Sequence, residues 1–125
     1  MKDSTAHLHL ICEDFKRTLD FYKSEIPFFK KRLEEIATKN TGEDILKQVE
    51  HFENTFITMN ENLDVLLHDV NLKQDVLLKE AKAKPEFINL KVNATADDLK
   101  NLIDFKTKEF ATTKENFYRF LSDHL

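Results

Sequence analysis

Apolar residues recur along this chain at every third or fourth position, the rhythm of helices that bury one face. The clearest run lies in the middle. Ile45, Val49, Phe52, Phe56, Met59, Leu63, Leu66 and Val70 follow one another at alternating spacings of four and three. Such a period of 3.5 marks a coiled-coil-like seam on a long helix. Thr41 stands where a side-chain oxygen caps the first turn, Asp44 three residues on supports it, and Glu43 suits the positive end of the helix dipole. Pro85 forces an end near Lys84, where Lys79, Lys82 and Lys84 gather as cations gather at helix C-termini.

The same rhythm predicts a first helix through Leu8, Ile11, Phe15, Leu19, Tyr22, Ile26, Phe29, Leu33 and Ile36. Pro27 lies inside it, where a missing N–H and a crowded carbonyl predict a kink rather than a break. Asn40-Thr41-Gly42 then forms a turn so short that the flanking helices must be antiparallel neighbours. A third helix is expected from Thr95, with Asp97 and Asp98 in its first turn and a weaker seam of Leu99, Ile103, Phe110, Phe117, Phe120 and Leu121 interrupted by Lys106 and Thr113. Between Pro85 and Ala94, Ile88, Leu90 and Val92 alternate with Asn89, Lys91 and Asn93, which reads as an extended connector pressed on the bundle end. The expectation is an all-α, antiparallel up-down-up bundle of three long helices, about 4–38, 42–84 and 95–124, forming one domain over residues 1–125. The second helix would overhang the third. The alternative is a four-helix bundle with the second helix broken near Asn60-Glu61-Asn62 or Asn71, although no Gly or Pro marks either point.

Composition narrows the class. One Gly and two Pro among 125 residues leave little material for hairpin turns. A single cysteine, Cys12, precludes an internal disulfide framework and fits a reducing compartment. Met1-Lys2-Asp3-Ser4-Thr5 lacks the basic start and apolar run of a secretory signal, and no apolar stretch is long enough for a membrane span. The expected location is therefore the cytoplasm. A net charge of −4 with mixed signs provides no basic face, so neither nucleic acid nor membrane is an expected partner.

Candidate chemistry is sparse. Di-iron bundles repeat Glu-x-x-His on two helices, but Gln48, Val65 and Leu121 stand three before His51, His68 and His124. His9 with Glu13, and Asp64 with His68, have helical reach for two ligands, yet each pair stands alone. His7-Leu8-His9 reads as a polar first turn. One glycine excludes phosphate-cradling loops, and a thiol within an apolar helix is ordinarily inert. Asn93-Ala94-Thr95 matches a glycosylation acceptor with no secretory context. The eleven phenylalanines could line an apolar ligand pocket, but most sit on seams, where they fill a core. No catalytic residue, metal site or cofactor is expected.

A second set of apolar residues lies off the seams. Leu10, Phe21 and Phe28 cluster about 100° or more from the main stripe of the first helix, and Val65, Leu72 and Val76 lie almost opposite that of the second. Isolated surface hydrophobes are normal. Aligned ones predict an interface, with a homodimer or another protein as partner. The stretch Glu25-Ile26-Pro27-Phe28-Phe29-Lys30-Lys31-Arg32-Leu33-Glu34-Glu35-Ile36, with Gln48-Val49-Glu50-His51-Phe52-Glu53-Asn54-Thr55-Phe56-Ile57, resembles small uncharacterised helical proteins of Bacteroidetes bacteria. That resemblance covers the first two helices and implies a bacterial cytoplasmic helical protein; it carries no functional residues over. The sequence thus points to a non-enzymatic interaction or scaffold module that self-associates or docks a partner helix. A metal- or small apolar ligand-binding bundle is the alternative.

Overall fold

A computed structural model describes the backbone of residues 4–83 and 85–125, and the side chains of residues 5–83 and 91–125. Three helices account for nearly all of it: α1 (Ser4–Lys39), α2 (Glu43–Ala83) and α3 (Pro85–His124). α2 is continuous, so the four-helix alternative fails, and α1 runs through Pro27 without interruption. At 1.5 Å per residue these helices are about 54 to 62 Å long. Contacts such as Lys23–Asp64 and Phe29–Phe56 set α2 antiparallel to α1, while Glu25–Lys114 and Phe29–Phe117 set α3 parallel to α1. The bundle is up-down-up.

The first turn differs from expectation by one residue at its cap. The Gly42 carbonyl accepts the first helical bond of α2 from the Leu46 N–H at 3.1 Å, which makes Gly42 rather than Thr41 the N-cap. On the other side of the turn, both the backbone N–H and the side-chain amide of Asn40 donate to the Ile36 carbonyl and close α1. The second turn departs further. α3 starts at Pro85, not Thr95, and the expected extended connector is its first turns, nearly three of them. Proline suits a first helical position because its missing N–H would have had no partner there. The alternation was too short to hold a strand with no partner strand to pair with, and Val92, Ala96 and Leu99 continue a helical seam at spacings of four and three. The predicted role of Ile88 and Leu90 side chains lies outside the described residues, as do those of Lys84 and Met1-Lys2-Asp3. With α3 nearly as long as α2, no overhang is left: Lys91 pairs with Glu80 at 2.7 Å and Val92 is buried.

The core changes character along its length. At the end built from the C-terminus of α1, the N-terminus of α2 and the C-terminus of α3, it is aromatic. Phe56 lies 5.2 Å from Phe29 and 4.9 Å from Phe117, centroid to centroid, and Phe52 packs on Phe117 and Phe120. Tyr22 stacks on Phe110 at 4.0 Å and donates its hydroxyl to Thr107. Toward the other end the core becomes mainly aliphatic, with Leu8, Cys12, Leu19, Leu63, Val70, Leu77, Val92 and Leu99 around Phe15.

α1 packs broadly on both neighbours, whereas α2 and α3 touch more thinly. This explains why the α2 seam is buried unevenly. Val49, Phe56, Leu63, Val70 and Leu77 are buried, but Phe52, Met59 and Leu66, on the flank toward α3, are only half-buried.

Candidate functional site

All six off-seam residues are exposed, by 62% (Leu10), 56% (Phe21), 70% (Phe28), 58% (Val65), 49% (Leu72) and 50% (Val76). They do not form one surface. On α1, Glu25 reaches α3 through Lys114, while Lys23 reaches α2 through Asp64. Phe21 and Phe28 stand four before and three after Glu25, so they are its neighbours on the helix surface and lie on the α3 side. Leu10 is 18 residues before Phe28, five full turns, and shares its angular position. This α1 line therefore flanks α3 on one side.

The α2 residues flank it on the other. Leu72 and Val76, with Lys73 and Leu77, face Lys91, Thr95 and Asp98 of α3 across an open groove of about 410 Å³. The pairings Glu80–Lys91 and Phe52–Phe120 fix the antiparallel register. At that register Val65 stands level along the bundle with Phe105, which is 59% exposed. Phe105 was not singled out from the sequence, because only the relative placement of two helices brings it level with Val65. Tyr118, 47% exposed and packed on Phe29 of α1, adds an aromatic edge beside the α1 line in the same way. Farther along the α2–α3 groove the lining turns polar, with His51, Asn54, Thr55, Thr58, Asn62 and Thr113 around a second open stretch of about 470 Å³.

Several polar contacts join the helices, among them Lys23–Asp64, Glu25–Lys114 and Glu80–Lys91. Gln74, at 7% exposure, is a buried polar side chain within the α1–α2 seam. Its carbonyl accepts from Lys16 Nζ at 2.9 Å, which leaves its amide nitrogen facing His9 Nδ1 at 2.9 Å. Nδ1 is then the acceptor of that pair. Lys16 also binds Glu13, so His9 and Glu13, one of the two candidate ligand pairs, are both engaged in this network. In the other pair, Asp64 binds Lys23 and His68 is exposed. Among the described residues no three His, Cys, Asp or Glu side chains converge on a point that could hold a metal ion. His51 and His124 lie against the rings of Phe52 and Phe120.

Among the described residues two groups have displaced acidities. The hydrogen bond to Glu25 holds the Lys114 ammonium above the usual lysine range, and that ammonium also lies over the rings of Phe29 and Tyr118. Burial pushes the Cys12 thiol up, as expected for a fully covered sulfur in an apolar core. A thiol so held is neither exposed nor activated.

Among the described residues no helix is long and apolar enough to cross a membrane. No protein-family model matches the chain, and neither a curated protein nor a solved structure matches it significantly.

Proposed function

We propose that this chain is a non-enzymatic protein–protein interaction or scaffold module, which self-associates or docks a partner helix. The observation that carries this reading is the alignment of large, half- or more exposed apolar side chains into two lines on either side of α3. Scattered exposed leucines need no explanation, but each aligned side chain gains roughly 1–2 kcal/mol from leaving water. Two antiparallel helices with an apolar groove between them also offer the shape that an amphipathic helix occupies. The cytoplasm of a bacterium is the setting that goes with this reading; a lone buried thiol suits reducing conditions.

Light scattering across the micromolar range tests the self-association form, with Phe21→Glu on α1 and Val76→Glu on α2 as probes. At least one substitution should lower the average mass. A chain that is monomeric throughout and indifferent to both rejects that form. For the docking form, peptides selected from a displayed helical library should lose binding to the Val76→Glu chain, and unchanged binding rejects the groove.

A further inference from the structure

The α1 line is flanked by charges that repeat with inverted sign. Glu13 and Asp14 stand near one end, and Lys31 and Arg32 stand 18 residues later. Eighteen residues make five full turns, so Lys31 occupies the angular position of Glu13, and Arg32 that of Asp14. Leu10 and Phe28 are related by the same interval. A face on which acids return as bases is complementary to itself when reversed.

We propose that two copies of this chain pair antiparallel through α1, about a two-fold axis perpendicular to the helix near Tyr22 and Lys23. This rests on the interaction reading above and names its partner and surface. Such an axis exchanges the ends of the two helices but keeps each flank on its own side. Asp14 of one copy then faces Arg32 of the second on one flank, and Glu13 faces Lys31 on the other, each pair occurring twice. Phe21 lies about 2 Å along the helix from the axis, so the two Phe21 rings meet at the centre. Arg17 comes level with Phe28 of the second copy, placing a guanidinium on a ring face. A parallel pair would instead set acids against acids and bases against bases. Of the charges involved, Glu13 pairs with Lys16 of its own helix and stays 44% exposed, so it can be shared across the two-fold. Asp14 pairs with Arg17, and Arg32 with Glu35, only within the helix surface, with Asp14 63%, Arg17 76% and Arg32 57% exposed. Exposed pairs of this kind are readily traded.

The test uses two full-length chains, E13K/D14R and K31E/R32D, with helicity checked by circular dichroism. Each alone sets four like-charge contacts across the two-fold, so its self-association at low salt should weaken about tenfold or more. Mixed in equal amounts they restore all four attractions, and a heterodimer should form with an affinity near that of the unmodified chain. Phe21→Glu, which leaves those charges in place and sets two carboxylates against each other at the axis, should dissociate the dimer without rescue by either. A monomeric unmodified chain overturns the proposal. So does a dimer indifferent to the α1 substitutions, although one lost on Val76→Glu would leave the broader interaction reading standing on the α2–α3 groove. Separate dissociation without rescue on mixing overturns the antiparallel register.

Discussion

Phe56→Ala should be among the most damaging single substitutions in this protein. The ring is fully covered and sits between Phe29, Phe52 and Phe117, at centroid distances of 5.2, 6.3 and 4.9 Å. Truncation removes the transfer energy of the ring and leaves a cavity among side chains anchored on three helices, which collapses little; together these cost about 3–5 kcal/mol. Phe56→Leu keeps much of the volume but loses three aromatic contacts of about 0.5–1.5 kcal/mol each, so it should cost about half as much. A chain of this length holds roughly 6–19 kcal/mol in all, so the alanine variant should stay folded but melt about 10–20 °C lower. Urea unfolding followed by circular dichroism provides the free energies, with Phe28→Ala as a matched control. Phe28 is 70% exposed, and its truncation should change monomer stability by less than about 0.5 kcal/mol. If Phe56→Ala costs under about 1 kcal/mol, or no more than Phe28→Ala, the aromatic end of the core is not packed as described.

Other outcomes follow from the same structure. Leu63→Ala, in the buried part of the α2 seam, should cost about 2–5 kcal/mol, whereas His68→Ala on the exposed face should cost little; an unfolded His68→Ala chain would mean the seam is misplaced. Gln74→Ala removes the bridge between Lys16 and His9 and opens space in the seam, costing about 1–3 kcal/mol in urea titrations, and a neutral result would show the network to be incidental. The raised pKa values of Cys12 and Lys114 mean that the folded chain holds protons the unfolded chain releases. The contribution of these two groups should therefore be constant below about pH 8.5 and be lost as pH rises through the thiol and then the lysine range. Cys12→Ala should remove the earlier part of that fall and Lys114→Met the later part, as read from urea midpoints.

The helices were legible where periodicity and packing agree. Every seam residue named on α2, from Ile45 to Val70, is buried or half-buried, and the turn at Asn40-Thr41-Gly42 lies where its composition put it. The start of α3 was missed because alternation at Ile88, Leu90 and Val92 outweighed a helical phase that becomes visible only when Val92, Ala96 and Leu99 are read together. Exposure of the six off-seam residues was also readable from angular position. Their division between two sides of α3 was not, since it depends on which neighbour Glu25 and Lys23 reach. Gln74 escaped notice for a related reason. A polar residue at a seam edge looks solvent-facing until its partners, 58 and 65 positions away, are known.

The thin contact between α2 and α3 bears on how the chain folds. Those helices are joined by one residue, yet α3 gains most of its burial from α1, at sequence separations of 85 to 89 in pairs such as Tyr22–Thr107 and Glu25–Lys114. α2 and α3, though adjacent in the chain, thus offer each other little, and the assembled α1–α2 hairpin presents α3 with its fullest surface. Closing so long a loop costs only logarithmically more than closing a short one. The expected order is that α3 docks late and completes the cooperative unit. Amide exchange should find α3 opening first on its α2-facing side, with α1 the last element to lose protection.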